Sequence, residues 1–566
     1  MLGLAAYLML VYGRAFSIPF LGDDYIILDK VSRSSFWDLW APRELFFNWY
    51  RPWSREFHYW VLLRAVGLRE PAYHVVSFGL WLTVMGLYFT LVRGISRKTS
   101  VATMATVGVA SLALWGAPLM WVAGVQDLWM LVFGLLFLHA AVRGWRWWAL
   151  VPLVLALLSK ETAAVLPAVA SAYLLIMERQ RPRQVLWWTL PMWFVLGAWV
   201  VLHPTLSARL FGSLQHSLET ERRLSPVMTL LKTLLAQVNL DGPLAPELGW
   251  RPILLGCAAA TALLTAVLAL GIRFDKDPSP RVERSRSLVL FGAVWAVAGW
   301  SLLFLPSIGW HAYYGSLGSL GCWLSIAALL HRHVRAAIAC LVIVTLLGGA
   351  RAATPSWDWG SFWYQKRAGS LLGGIRSQLF ARHPTLPPHS RLFFANLPNN
   401  IGLLAGDGPA IRIWYRDPTL RARWYSEYST RMPEDSLGAD LFFRFDPGHG
   451  LTEVRTGPEF DAPEPARSAE WQRNQRVLAS LFLHAGNVRG AAGSYAKLWR
   501  YFPQQAENAL YAATLYDAAG DSSQAARYYQ AAVSALGSET VRRAAPTLVA
   551  AARDSAQAAG VRSDGR

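Results

Sequence analysis

Long apolar runs recur through the first 350 residues, and they constrain the fold of this chain more than any other feature. A helix rises 1.5 Å per residue, so about 20 apolar residues cross a hydrocarbon layer about 30 Å thick. The chain is 54% hydrophobic and only 16% charged, which is typical of a membrane protein. No sheet-like alternation of apolar and polar residues recurs, so the runs predict helices and not a barrel.

The expected fold class is therefore mainly α, a polytopic helical membrane bundle formed by residues 1–350. We predict eleven transmembrane helices, at 2–20, 72–92, 101–118, 127–142, 147–158, 162–177, 185–202, 251–271, 288–304, 315–330 and 336–350. The first of them carries Arg14 and precedes no small-residue cleavage site, so we interpret it as a retained helix.

Basic residues in the short loops predict the orientation of the bundle, because lysine and arginine are retained on the cytoplasmic side. The cation-rich loops lie near 93–98, 143–146, 179–183, 273–286 and 332–335. This distribution predicts a cytoplasmic N-terminus, and it places the loops at 21–71, 119–126, 159–161, 203–250 and 305–314 outside. It also accounts for much of the +18 net charge, so we expect no nucleic-acid partner.

The run from Trp147 to Met177 decides the sidedness of Lys160 and Glu161. A charged pair in mid-membrane costs several kcal/mol unless it reaches water or a polar cavity. Basic clusters flank the run at both ends, which favours an even number of crossings. We therefore predict two short helices, broken at Ser159-Lys160-Glu161, with the break on the outer side.

The chain after residue 350 has a different composition and predicts an outer, periplasmic part. In 351–469, a strand-like run at 391–395 and aromatic-rich runs at 411–415 and 441–445 suggest a small α/β domain. In 470–550, Ala485-Gly486-Asn487 recurs as Ala519-Gly520-Asp521. This spacing is typical of tetratricopeptide repeats, which are about 34 residues long and bind extended peptides, and so predicts a protein partner. Residues 551–566 are expected to be a flexible tail.

Asp23 and Asp24 follow the first apolar segment and begin the outer loop 21–71, where a carboxylate could act as the base toward an acceptor hydroxyl. The alternative is structural, with Asp24 capping the next helix and Asp23 solvated. Arg51, Arg55 and Lys160 could bind a lipid phosphate at the same side, although each alone is more often an interfacial cation.

Other charged and metal-binding residue types give weaker signals. Glu161 could simply pair with Lys160, and His74 and His311 are more often core or interface residues than ligands. The cysteines Cys257, Cys322 and Cys340 lie in apolar runs and form no metal-ligand pattern. We predict no metal site, and a divalent cation between Asp23, Asp24 and a substrate phosphate is left open. The sequence contains no phosphate-binding glycine loop in a fitting context, which disfavours a nucleotide substrate.

A combination of short motifs resembles the GT-C class of membrane glycosyltransferases. The motifs are Asp23-Asp24, Tyr50-Arg51-Pro52, Tyr73-His74, Leu158-Ser159-Lys160-Glu161 and the repeats near the C-terminus. The branch most similar to this chain is that of the protein O-mannosyltransferase-like bacterial proteins with tetratricopeptide repeats. The chain departs from that pattern at Ser77 and Trp81, where relatives often have Asn and His.

The resemblance implies a polyprenyl-phosphate-linked sugar as donor and a hydroxyl of a protein or glycolipid as acceptor. It assigns the base to Asp24 or Asp23 and the phosphate contacts to Arg51 and Lys160, with Arg55, Glu161, Tyr50, His74 and His311 in support. Our leading hypothesis is inverting sugar transfer at the outer face of a bacterial inner membrane, with Asp24 taking the acceptor proton. A non-catalytic membrane scaffold for envelope proteins is the alternative, and a transporter is third.

Overall fold

The computed structural model describes residues 2–42, 49–204, 224–241, 283–304, 310–354, 360–397, 404–424, 438–446, 448–454, 469–484 and 486–546. Within this part of the chain the fold is mainly helical, as predicted. The chain divides into two compact units, Met1–Gly369 and Ser370–Arg566, and the division falls inside the helix Phe362–Arg382.

The first unit is built from helices. In chain order they are α1 Leu2–Tyr12, α2 Asp23–Arg33, α3 His58–Val66, α4 Glu70–Ser96, α5 Thr99–Ala110, α6 Gly116–Met120, α7 Val125–Val142, α8 Leu150–Leu157, α9 Leu166–Ile176, α10 Pro182–Leu202, α11 Pro226–Ala236, α12 Glu283–Trp300, α13 Ser316–Leu330, α14 Val334–Ala353 and α15 Phe362–Arg382. A π-helical turn, Pro52–Phe57, precedes α3, and a 3-10 turn, Glu161–Val165, precedes α9.

Six helices in the described ranges are long and apolar enough to cross a membrane, and a bent pair of shorter ones brings the number to seven. The six are Glu70–Ser96, Val122–Val142, Pro182–Leu202, Ser285–Phe304, Ala312–Leu330 and Val334–Ala353, and the bent pair is Thr99–Ala110 with Ala113–Met120. Each corresponds to a span predicted from the apolar runs. The chain is a multi-pass helical membrane protein.

The predicted number of eleven spans is not confirmed. Leu2–Ser17 and Glu161–Ile176 are apolar but shorter than a spanning helix, and Leu150–Leu157 has only eight residues. The predicted span 251–271 lies outside the described residues. The run from 147 to 177 is nevertheless broken where we predicted, because the chain is extended at Lys160 between α8 and the turn that leads into α9.

Helices α12 and α13 pack with their backbones almost in contact, because glycines line both of them. A Cβ atom added to Gly299 would lie 2.4 Å from the backbone nitrogen of Gly318, and one added to Gly321 would lie 2.5 Å from that of Ala296. Small residues allow this approach, which replaces the hydrophobic driving force that lipid surroundings do not supply. The same helix α13 packs on α5, where Trp323 lies against Gly108.

The second unit contains a four-stranded sheet and a set of helical hairpins. The strands are β1 Arg391–Ala395, β2 Arg421–Trp424, β3 Asp440–Asp446 and β4 Gly450–Glu453, in the order β2-β1-β3-β4. β1 is parallel to β2 and β3, and β4 is antiparallel to β3. Two of the runs singled out in the sequence lie in β1 and β3, whereas 411–415 lies in the helix α16 Pro409–Tyr415.

The hairpins that follow the sheet repeat at the period found in the sequence. They consist of α17 Ala469–His484, α18 Val488–Tyr501, α19 Glu507–Ala518 and α20 Ser522–Leu536. Gly486 and Gly520, which occupy the same position in the two copies of the motif, have φ angles of 72° and 75°, which glycine adopts without strain. Residues Asn487 and Asp521 then cap α18 and α20 with their side chains.

The sheet and the first hairpins share one hydrophobic core. Phe393 and Phe442 from the sheet pack with Leu478 and Phe482 of α17 and with Leu515 of α19. The segments that the sequence suggested as separate domains, 351–469 and 470–550, are therefore joined by buried apolar contacts within the second unit.

Candidate functional site

Asp24 is buried at the start of α2, and its carboxylate is fully used in holding the loop in place. Gly22 precedes the helix with a φ of 53°, which places Asp23 and Asp24 in its first turn. The Oδ2 atom of Asp24 accepts a hydrogen bond from the Leu21 backbone at 2.8 Å. Its Oδ1 atom accepts from the Tyr59 hydroxyl at 2.6 Å and from the Ala123 backbone at 2.9 Å. Asp24 thus joins α2 to α3 and to the turn before α7.

Asp23 is the neighbouring residue, but its surroundings differ from those of Asp24. Its side chain is half-buried, and its carboxylate accepts no hydrogen bond from the residues that the structure describes. Burial raises the pKa of Asp23 to about 6, although the positive charges of Arg55 and Arg51 act to lower it. Burial likewise raises the pKa of Asp24 to about 7 against the opposing effect of its hydrogen bonds. Of the two, Asp23 has the carboxylate that a substrate could reach.

Arg51 is held in one geometry by a carboxylate and an amide. Its Nε donates to both carboxylate oxygens of Glu161, at 3.0 and 2.9 Å, and its Nη2 donates to Oε2 at 2.6 Å. Its Nη1 donates to Oε1 of Gln126 at 2.8 Å. This two-point contact fixes the guanidinium plane, as arginine forks do with carboxylates. The pairing of Glu161 with Lys160 considered from the sequence is therefore wrong, since Glu161 pairs with Arg51.

Lys160 lies at the break between α8 and α9 and points at a different carboxylate. Its Nζ atom donates to both oxygens of Asp127, each at 2.6 Å, and the two side chains are 5% and 2% exposed. The rings of Tyr313 and Tyr314 lie 5.0 and 4.8 Å from Nζ. The break thus presents the ammonium group to a buried acid and two aromatic faces, and not to open solvent.

Two hydrogen bonds join the segment of Arg51 to the segment of Lys160. The backbone nitrogen of Trp53 donates to the Leu158 carbonyl at 3.2 Å, and the Ser54 hydroxyl donates to the Ser159 carbonyl at 2.6 Å. Both donors belong to the π-helical turn, a form often found at functional sites. The first loop is therefore fixed directly to the break that carries Lys160.

Arg55 and Tyr50 are positioned by other contacts. Arg55 is buried and donates from Nε to Oε1 of Glu56 at 2.9 Å, an oxygen that also accepts from Lys30 at 3.2 Å. The hydroxyl of Tyr50 donates to the Trp40 carbonyl at 2.7 Å. Arg55 therefore acts on Asp23 through its charge, and Tyr50 shapes the loop.

The two histidines singled out in the sequence fall in different places. His74 is fully buried, with its ring nitrogens 3.1 Å from the Leu119 carbonyl and 3.3 Å from the Ile18 carbonyl. His311 lies beside the rings of Tyr313 and Tyr314, at 5.8 and 5.6 Å between centroids. The contacts of His74 are those of a residue that joins helices, while His311 is close to the Lys160 region.

The sequence reasoning missed several residues of this site. Tyr59 binds Asp24, Gln126 binds Arg51, Asp127 binds Lys160, and His203 lies 3.9 Å from Glu161. A signal existed for Asp127, because a carboxylate at the start of an apolar run marks a functional position. Tyr59, Gln126 and His203 carry no comparable signal, since polar residues near helix ends are common.

A metal site is not formed by the described residues, since they contain no group of three or more His, Cys, Asp or Glu side chains that could hold an ion. Asp24 has used its lone pairs on protein donors, and Glu161 and Asp127 are bound to cations. Asp23 alone is an insufficient ligand set for a divalent cation, which needs several oxygen ligands.

The arrangement combines groups that suit group transfer from a phosphate. Asp23 supplies an open carboxylate with a pKa close to neutral, which is favourable for a general base. Arg51 and Lys160 supply two fixed positive charges, contributed by separate segments of the chain. Both charges lie within electrostatic range of one another, and that of Arg51 also acts on Asp23.

No protein-family model and no curated protein matches the sequence. Among solved structures, the chain is similar to ArnT from Cupriavidus metallidurans bound to undecaprenyl phosphate, with a TM-score of 0.44 and 14% identity over 79% of this chain and 93% of that one. It is also similar to the apo state of ArnT, with a TM-score of 0.40 and 16% identity over 74% and 84% of the two chains. Both likenesses are remote, so the function is inferred from the site itself.

Proposed function

We propose that this protein is a membrane glycosyltransferase that moves a sugar from a polyprenyl-phosphate donor to a hydroxyl group. The observation that carries the proposal is the open carboxylate of Asp23 within the field of Arg51, whose other neighbours include Lys160. An acid near neutrality beside fixed cations is what a transfer from phosphate to a hydroxyl requires. The order of the motifs, which resembles the GT-C class, supports the same reaction.

In the proposed reaction the base is Asp23, although the sequence had favoured Asp24 for this step. The three donors that surround Asp24 leave no room for an acceptor hydroxyl, whereas Asp23 is accessible. Asp23 takes the proton of the hydroxyl as its oxygen attacks the anomeric carbon of the sugar. The bond from that carbon to the phosphate oxygen breaks, the electron pair leaves with the lipid phosphate, and the configuration of the sugar is inverted.

The proposed role of Arg51 and Lys160 is to stabilise the charge that develops on the leaving phosphate. Glu161 and Gln126 fix the guanidinium in one plane, so little reorganisation is needed when the charge forms. Arg55 is too enclosed by Glu56 to be a direct phosphate ligand in this scheme, and it acts on Asp23 instead.

We place the reaction at the outer face of a bacterial inner membrane, on the basis of the loop charges. The hairpins at 469–536, with their regular period and repeated capping positions, support an interpretation as tetratricopeptide repeats. Such repeats bind extended peptides, which favours a protein as acceptor or partner. A glycolipid acceptor agrees equally with the chemistry of the site.

The test is sugar transfer in membranes that contain the full-length protein and a labelled polyprenyl-phosphate sugar. We expect the Asp23→Asn and Lys160→Met variants to lose transfer while wild-type protein labels a membrane-bound acceptor. Full labelling by both variants would refute the assignment. If wild-type membranes show no transfer and residues 351–566 are needed only for recovery of envelope proteins, the scaffold alternative would take its place.

A further inference from the structure

The buried carboxylate of Asp127 has no role in the reaction outlined above, yet it occupies the strongest donor of the site. It lies near the N-terminus of the apolar helix α7, and both of its oxygens are 2.6 Å from Nζ of Lys160. An ionised carboxylate in such surroundings is costly unless it is paired. The ammonium of Lys160 has the same requirement, so each group holds the other in its charged form.

The hydrogen-bond donors of the site are largely in use before a ligand arrives. Lys160 has three N–H bonds and points two contacts at Asp127. Arg51 has five N–H bonds and uses three of its nitrogen atoms on Glu161 and Gln126. A phosphate bound here competes for Lys160 with the carboxylate that already holds it.

The charges lead to the same competition. Arg51 and Lys160 carry two positive charges, which Asp127 and Glu161 balance with two negative ones. A phosphate adds negative charge to a neutral set in surroundings of low dielectric, where repulsion is strong. One of the two carboxylates must therefore weaken its hold as the phosphate binds.

Asp127 is the carboxylate whose contacts can be exchanged more readily. Glu161 makes a two-point contact with the planar guanidinium and is also close to His203. Asp127 contacts a lysine, a flexible point charge that can turn toward a second anion. Tyr313 and Tyr314 stand on the same ammonium group and offer it a further favourable surface.

We propose that Asp127 is the resting counter-ion of Lys160 and that the phosphate of the lipid donor displaces it. The inference rests on the proposed function, because it takes the phosphate of a polyprenyl lipid as the ligand of Lys160. Asp127 is a positioning residue in this scheme. It keeps Lys160 charged and oriented while the site is empty, and it weakens the binding of every phosphate by occupying the same ammonium.

The experiment measures the affinity of purified full-length protein for farnesyl phosphate, with inorganic phosphate as the second ligand. We expect the Asp127→Asn variant to bind farnesyl phosphate at least about fivefold more tightly than wild type, which corresponds to a coupling of about 1 kcal/mol. A gain of affinity does not result from a damaged fold. An equal or weaker affinity in a variant that melts like wild type would overturn the proposal.

Three further variants separate the possible causes. Asp29→Asn removes another buried carboxylate, one that pairs with Arg33, and its affinity should equal that of wild type. Lys160→Met should weaken binding, and Asp127→Asn combined with Lys160→Met should bind no better than Lys160→Met alone. The double variant also keeps the test valid if Asp127→Asn fails to fold, because replacing both members of a buried pair is tolerated better than removing one. It then replaces the single variant, and binding tighter than that of Lys160→Met would refute the role of Lys160.

The outcomes distinguish this inference from the proposed function. If Lys160→Met leaves the affinity of the protein unchanged, the phosphate site itself is wrong. If Lys160→Met weakens binding but Asp127→Asn does not tighten it, only the displacement of Asp127 fails. Inorganic phosphate should bind far more weakly than farnesyl phosphate, and equal affinities would overturn the assignment to a lipid.

Discussion

The two adjacent aspartates should respond to the same substitution in opposite ways. In Asp24→Asn, the amide oxygen can replace Oδ1 and keep the bonds from Tyr59 and Ala123. The amide nitrogen then faces the backbone N–H of Leu21, which loses its acceptor. A buried donor without a partner costs about 1–3 kcal/mol, and turning the amide round costs more because two donors then lose their acceptor.

Asp23→Asn carries no comparable cost, because the carboxylate of Asp23 accepts no bond from the described residues. It removes the proposed base, and general-base catalysis contributes about 10²–10⁴-fold to a rate. We therefore expect Asp23→Asn to keep the wild-type melting temperature and to lose transfer by about that factor. Asp24→Asn should melt at a lower temperature and keep measurable transfer in the membranes where it is folded.

The assay combines thermal unfolding in detergent with transfer from a labelled polyprenyl-phosphate sugar, corrected for the amount of folded protein. Tyr59→Phe is the control for the stability effect, since it removes one donor to Asp24 and should cost about 0.5–1.5 kcal/mol. The reasoning would be refuted by an Asp24→Asn variant that melts like wild type but is inactive, together with an Asp23→Asn variant that is fully active.

The remaining predictions concern pH, helix packing and the repeats. Transfer should fall as the pH is lowered through about 6, because burial raises the pKa of Asp23 to that value and the protonated carboxyl cannot accept a proton; a rate profile checks this. Gly299→Val should lower the melting temperature, because its Cβ would lie 2.4 Å from the Gly318 backbone, whereas Gly197→Ala, with no neighbour within 4 Å, should not. Asn487→Ala should destabilise the second unit by about 1 kcal/mol through loss of a helix cap, as measured by thermal unfolding; an unchanged melting temperature would contradict the cap.

Much of the membrane part could be predicted from the sequence because the bilayer imposes a length on each apolar run. The helices Glu70–Ser96 and Pro182–Leu202 fall within a few residues of the predicted spans 72–92 and 185–202. The number of crossings could not be predicted as well, since α8 and α9 are shorter than their apolar run suggests. Apolar composition shows that a segment can lie in a membrane, but not that it crosses.

The candidate site was predicted in part. Asp23, Arg51 and Lys160 were singled out, and the structure brings the segments of Arg51 and Lys160 together through Trp53 and Ser54. Their partners were not predicted, because the pairing of Arg51 with Glu161 joins residues 110 positions apart in the chain. Nothing in the local sequence encodes such a contact.

The sequence by itself determined that this is a helical membrane protein with a break at Ser159-Lys160-Glu161 and a repeated motif near the C-terminus, because hydrophobic length, charge and period are local properties. The difference between Asp23 and Asp24 was decided only by the tertiary structure. Adjacent residues on a helix point in different directions, so one carboxylate meets Tyr59 and Ala123 while the other stays open. Burial and hydrogen bonding depend on what distant segments bring to each side chain.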